Sequence, residues 1–97
     1  MTEIDIQNSI LNYLKFRNCL FWRQKNTGVK MGDHWIRSGR KGVSDILVLR
    51  KGMFFAIECK TKKGVLSKEQ KEFLEQVKEQ GGTPIVARSV EDVIKYM

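Results

Sequence analysis

Glu58 and Lys60 stand two residues apart at the end of an apolar run, Phe55-Ala56-Ile57-Glu58-Cys59-Lys60. Strand side chains alternate between faces. As a strand, the run puts Phe55, Ile57 and Cys59 on one face and Ala56, Glu58 and Lys60 on the other. Charged groups on such a strand must be paired, bound to a metal, or set at the solvent end of a sheet. A second run, Asp45-Ile46-Leu47-Val48-Leu49-Arg50, precedes it, and Lys51-Gly52 offers a tight turn between the two. The pair reads as a β-hairpin, in which the start of one strand lies beside the end of the other. Asp45 then falls close to Glu58 and Lys60. Two close carboxylates repel each other unless a cation sits between them. Mg²⁺ suits that position, with hard oxygen ligands, retained waters and a phosphate as its remaining partner. A metal there would polarise a phosphoryl oxygen and help generate hydroxide. Lys60 would place or deprotonate the attacking water, or neutralise charge on the phosphorane. The plain alternative is a structural ion pair of Lys60 with either acid.

The elements that must hold these groups are legible in outline. Thr2 is an N-cap for a helix with Ile6, Ile10, Leu11 and Leu14 on one face, ending near Arg17-Asn18. Leu20-Phe21-Trp22-Arg23 reads as a strand and Asn26-Thr27-Gly28 as a turn. Residues 29–42 carry four Lys/Arg and three glycines without a clear period. They read as a long loop with room for a short strand around Trp35-Ile36-Arg37, and such loops are often functional. The Asp45 strand has a continuous apolar centre, expected to be buried on both faces. Ser67-Lys68-Glu69-Gln70 is a capping box opening a helix with Phe73, Leu74 and Val77 inward, stopped by Gly81-Gly82. A strand at 83–88 follows, and Ser89-Val90-Glu91-Asp92 is expected to cap a short last helix. The order is helix, three strands, helix, strand, helix. It predicts an α/β sandwich around a mixed sheet, with a parallel crossover from the hairpin through the Ser67 helix.

Ninety-seven residues, 41% of them hydrophobic, suit one domain spanning 1–97 with a small core that dimerisation would help. No run approaches a membrane span, and the acidic start, Met1-Thr2-Glu3-Ile4-Asp5, is unlike a secretory signal. The expectation is a soluble, intracellular, cytoplasmic protein. Cys19, Cys59 and the single His34 are too few for a structural zinc site, and both cysteines are expected reduced and packed. The net charge of +7 is unevenly placed: residues 18–64 carry +8, the segments before and after 0 and −1. A basic zone of that kind is the footprint of a polyphosphate ligand, or else a solubilising surface. Within it, Arg37, Arg40 and Lys41 lie just before Asp45, and Lys62 and Lys63 just after the Glu58 strand, where phosphate contact is expected. His34-Trp35 could stack on a base or pack on the core.

Gly42-Val43-Ser44-Asp45 followed by Ile57-Glu58-Cys59-Lys60 resembles the PD-(D/E)xK nuclease superfamily, and more narrowly its virus-type replication-repair nuclease (VRR-NUC) domains. The resemblance covers nearly the whole chain. Glu3 and Gln7 match the family's opening helix, and Trp22-Arg23-Gln24-Lys25-Asn26-Thr27-Gly28 its first strand and turn. Gly64-Val65-Leu66-Ser67 with Gln70, Phe73, Leu74 and Gly81-Gly82 resembles its helix after the lysine. Ser44 stands where the superfamily's name has proline, beside the expected nucleic acid. The resemblance implies a restriction-endonuclease-like α-β-β-β-α-β core and a Mg²⁺- or Mn²⁺-dependent phosphodiesterase. It makes Asp45 and Glu58 metal ligands, with the Cys59 carbonyl as a further one, and Lys60 the catalytic lysine. Glu3 would reach the site from the first helix, as a catalytic and metal-binding acid, and Gln70 would support it. It also suggests a viral or mobile-element origin.

The leading expectation is a homodimeric endonuclease acting on branched DNA, a Holliday-junction resolvase whose two-fold axis suits paired incisions. Nicking of flaps, gaps or single strands keeps the chemistry and changes the substrate. A non-catalytic nucleic-acid-binding module of the same fold predicts binding without metal-dependent turnover. A basic RNA-associated protein explains the charge but not the paired acids.

Overall fold

Thr2 and Asp5 close the capping box that starts α1 (Glu3–Phe16), their side chains and backbone N–H groups bonding reciprocally at 3.0 and 3.1 Å. The computed structural model describes residues 1–24, 28–31, 34–37 and 40–97, the two short stretches at 28–31 and 34–37 by their backbone alone. After α1 come β1 (Leu20–Arg23), β2 (Gly28–Met31), β3 (His34–Arg37), β4 (Ile46–Arg50), β5 (Met53–Cys59), α2 (Lys68–Glu79), β6 (Thr83–Ala87) and α3 (Val90–Ile94).

The main sheet runs in the order β1-β4-β5-β6. Its β1/β4 and β4/β5 pairs are antiparallel and its β5/β6 pair is parallel, which makes the sheet mixed as expected. The β4–β5 hairpin turns at Lys51-Gly52, whose φ of 49° and 81° are both positive. Two positive φ values define the type I′ turn that matches strand twist, and glycine takes the second position without strain. The parallel β5/β6 pair spans α2, the connection such a pair requires.

Side-chain alternation sorts the core into two layers. Phe55, Ile57 and Cys59 of β5, with Ile46, Val48, Ile85 and Ala87, pack beneath Ile6, Ile10 and Leu14 of α1 and Val93 of α3. On the opposite face Leu47 and Ala56 pack against Leu74 and Val77 of α2. Burying each such aliphatic side chain is worth about 1.5–3 kcal/mol, enough to hold the hairpin between helices on both faces.

Three expectations are corrected. Where a long loop with a short strand around Trp35-Ile36-Arg37 was expected, that strand forms as β3 and pairs with a further strand, β2, as a separate antiparallel hairpin, Gly28 opposite Arg37. The β2 strand is hidden because four residues opening on a glycine are too few to display a period. The β4 strand is buried on both faces only through Val48, since Leu49 is 41% exposed. Ser89 occupies the N-cap of α3 but its side chain makes no capping bond. The Asp92 carboxylate instead accepts the Arg88 N–H at 2.9 Å. The expected turn at Asn26-Thr27 lies outside the described residues.

Candidate active site

The hairpin register pairs Ile46 with Ile57, so Asp45, one step before β4, comes level with the end of β5. The Cys59 N–H donates to Asp45 Oδ2 at 2.8 Å. On the other side the Gln24 N–H donates to the Asp45 carbonyl at 2.8 Å, extending the β1 ladder by one residue. Lys60 is fixed similarly, its N–H donating to the Ala87 carbonyl at 3.0 Å. Asp45 and Lys60 are thus held by main-chain bonds to strands on either side, a rigid mounting for chemistry.

Glu58 is almost wholly buried, at 2% exposure. One carboxylate oxygen, Oε2, accepts from Gln70 Nε2 at 3.3 Å. The other, Oε1, is buried with no hydrogen-bond partner. The Glu58 carboxyl is pushed up to about 9, first by burial, then by the adjoining Asp45 carboxylate, with Glu3 adding to the same effect and Lys60 opposing it. Burial penalises the charged form, and a neighbouring carboxylate penalises it further. A buried acid with one orphaned oxygen, set beside the half-buried Asp45, is a donor set short of positive charge, and a divalent cation supplies what it lacks. The donor set therefore fits a hard metal.

Gln70 serves two groups at once. As N3 of α2 it completes the capping box, its Oε1 accepting the Ser67 N–H at 2.8 Å and its own N–H donating to Ser67 Oγ at 3.1 Å. Its amide nitrogen then reaches Glu58, so the cap aims the residue at the acid. A cavity of about 330 Å³ opens here, lined by Gln24, Lys41, Gly42, Asp45, Ser67 and Gln70 among others. A larger one, about 500 Å³, lies along α2 between Arg40, Phe54 and Phe73 and reaches neither Asp45 nor Glu58. The smaller is the one that Asp45 and Gln70 line.

The remaining expected residues divide. Glu3 bears on Glu58 through its charge. However, among the described residues no three His, Cys, Asp or Glu side chains gather as a metal-binding group. Glu3, on α1 across the sheet, thus adds charge near Glu58 without completing a three-side-chain set with Asp45 and Glu58 among the described residues. The Cys59 thiol packs in the α1 layer, pushed up by burial and by Asp45, Glu58 and Glu3, so only its main chain faces the acids. Ser44 is fully buried, its hydroxyl without a partner, and the expected contact with nucleic acid is corrected for want of surface. Arg40 is also relocated: its guanidinium bonds Gln76 Oε1 and lies 5.5 Å over the Phe73 ring, on the flank of α2 rather than beside Asp45. Lys41 lines the smaller cavity and pairs with Glu69 at 3.2 Å. Lys62 and Lys63 are exposed in the turn that follows Lys60. The side chains of His34, Trp35 and Arg37 lie outside the described residues.

Two residues at the site escaped the sequence reading of individual roles. Gln24 follows β1 opposite Asp45, a place set by cross-strand register rather than local pattern. Arg88 directly follows β6 and donates to main-chain carbonyls just beyond Lys60. The signal for it was a basic residue closing a strand parallel to β5, readable only once that pairing is known.

A family model, the VRR-NUC domain, matches residues 9–91. No curated protein matches the chain.

Proposed function

The chain belongs to the VRR-NUC domain family, a membership that implies nuclease-type function and nucleic acid as ligand, and on that premise we propose a metal-dependent endodeoxyribonuclease that cuts branched DNA, four-way junctions first. The observation that carries the chemistry is the buried Glu58 carboxyl beside Asp45, with one oxygen orphaned and Lys60 two residues away.

Asp45, Glu58 and the Cys59 carbonyl would hold Mg²⁺ or Mn²⁺. When bound, the metal supplies Lewis-acid polarisation of the phosphoryl oxygen and a lowered pKa for water. The chain's own residues do the rest. Asp45 is oriented by the Cys59 N–H, and Glu58 by the Gln70 amide. Lys60 brings positive charge to the place where negative charge grows on the phosphorane, the electrostatic contribution that is largest in such sites. Lys41, Lys62 and Lys63 supply phosphate contacts around it, which fix the backbone without reading bases. The homodimer belongs to the same proposal. Leu20, Trp22 and Leu49 share one sheet face beyond the reach of α2 and are 61%, 42% and 41% exposed, an apolar surface for a second copy.

The test is cleavage of end-labelled four-way junction, flap, duplex and single-stranded DNA, each with Mg²⁺, Mn²⁺ or EDTA, beside Lys60→Ala. Paired, metal-dependent cuts in the junction that fall about 100-fold or more in the variant are expected. Cuts mainly in flaps or single strands would keep the nuclease and discard the junction preference. Binding without cutting under every metal would leave a non-catalytic module.

A further inference from the structure

The segment after the catalytic strand, Lys60-Thr61-Lys62-Lys63-Gly64, has little in its own sequence to hold it. Its three lysines repel one another, and one main-chain bond, the Gly64 N–H to the Thr61 carbonyl at 3.0 Å, closes the turn. The missing restraint comes from β6. Arg88 Nη1 donates to the carbonyls of Thr61 at 2.5 Å and Gly64 at 2.9 Å, and at a longer 3.3 Å to Lys62. Hydrogen bonds from a charged donor are roughly twice as strong as neutral ones. Arg88 is itself rooted, its N–H bonded to Asp92 of α3 at 2.9 Å. The Ala87 carbonyl beside it receives the Lys60 N–H at 3.0 Å. The turn also lies against the lysine: a Cβ on Gly64 would stand 3.3 Å from Lys60 Cδ.

We propose that Arg88 is a positioning residue for the cleavage reaction, clamping the turn at 61–64 so that the stem of Lys60 is held toward Asp45 and Glu58. The inference rests on the nuclease reading above, and it assigns Arg88 an action through Lys60 rather than on the substrate. Its consequence follows from geometry. A misplacement of about 1 Å at a reacting group costs up to about 100-fold in rate. Arg88→Met removes every donor while keeping an apolar stem of similar length. Arg88→Lys keeps the charge and three donors on a more flexible stem, without the planar fork.

The experiment measures three things on the full chain: amide hydrogen exchange at 61–64, affinity for a four-way junction in Ca²⁺, and single-turnover cleavage of that junction in Mg²⁺. For Arg88→Met the expected result is exchange accelerated about tenfold or more at 61–64. Cleavage should slow by about 10- to 100-fold with affinity within about threefold of wild type. Arg88→Lys should recover most of the rate. A purely structural role would speed exchange throughout the sheet and leave the rate per folded molecule unchanged, which overturns the proposal. Unchanged exchange at 61–64 overturns it equally. Should Arg88→Met not fold, Arg88→Gln, which keeps a donor but has shorter reach and no charge, carries the same measurements. Wild-type protein that cuts no DNA refutes the nuclease reading and the catalytic half of this proposal with it, while the exchange measurement still decides whether the clamp exists.

Discussion

Of the two carboxylate oxygens on Glu58, one accepts from the Gln70 amide and the other has no hydrogen-bond donor among the described residues. That imbalance has a measurable consequence for the metal-free protein. The ordinary value of 4.5 stands for the unfolded chain, and the folded protein raises it to about 9. Between those values the folded state keeps a proton that the unfolded chain has released, so stability falls as pH rises through that window. Below it both states are protonated and the group contributes nothing; above it the penalty is complete. In EDTA the melting temperature should therefore decline from pH 5.5 to 8.5, and the decline should be smaller in Glu58→Gln. Mg²⁺ or Mn²⁺ should raise the melting temperature more at pH 8.5 than at 5.5, since the cation binds the ionised pair. Parallel profiles for wild type and Glu58→Gln would remove the coupling. A second residue sets the wall of the cavity. Gly42 has φ of 86°, and a Cβ there would come within 2.5 Å of the Glu69 backbone. Gly42→Ala should cost more than about 1 kcal/mol in urea unfolding, because neither the backbone angle nor the space accepts the methyl. The acids and lysine were legible because alternation along a strand and one tight turn bring them together. The burial of Ser44 and the lodging of Arg40 on Phe73 were not, since each depends on packing from an element distant in sequence.

At the scale of elements, α2 is both a layer of the core and part of the site, and its first turn joins the two. Ser67 and Gln70 close the cap, and the same Gln70 side chain reaches Glu58. Two substitutions separate these roles. Ser67→Ala removes an N-cap worth about 1 kcal/mol and should lower the melting temperature by about 4–8 °C in a domain of this size. Gln70→Glu keeps a residue favoured in the capping box but replaces the donor to Glu58 with a like charge. It should lower the melting temperature in EDTA, less so in Mg²⁺, and slow cleavage by about tenfold or more, because Glu58 loses the amide that orients it. Equal effects of the two variants on stability and rate would show that α2 contributes packing alone. The capping motif, the type I′ turn and the hairpin were readable because each is specified by a few adjacent residues. The β3 strand was readable around Trp35-Ile36-Arg37, but its partner β2 was not, because four residues opening on a glycine are too few to display a period. The order β1-β4-β5-β6 also lies beyond local pattern, and with it the placement of Gln24 and Arg88.

For the whole molecule, charge and exposed apolar surface make separate demands. The excess positive charge lies in residues 18–64, and the exposed Lys62 and Lys63 adjoin Lys60. Each phosphate that a lysine neutralises releases condensed counterions, so the logarithm of affinity should fall linearly with that of salt. Replacing Lys62 and Lys63 by alanine should weaken junction binding at low salt and reduce the slope by about 0.9 for each phosphate no longer neutralised. Cleavage of bound junction should change far less, because neither ammonium belongs to the acid pair. An unaltered slope would place the DNA elsewhere on the basic surface. The apolar demand concerns Leu20, Trp22 and Leu49, which no helix among the described residues covers. If a second copy covers them, Leu49→Lys should convert a dimer to a monomer in sedimentation equilibrium. Its fold should hold, since Leu49 is already 41% exposed. That monomer separates two demands of junction resolution that a single subunit cannot both meet. In the proposed enzyme each active site would draw Asp45, Glu58 and Lys60 from one chain, so single nicks should persist. Paired incisions need two sites related by a two-fold axis, so they should be lost. Paired cutting by a proven monomer would mean that one site acts twice, and the proposed pairing of sites would fall with it.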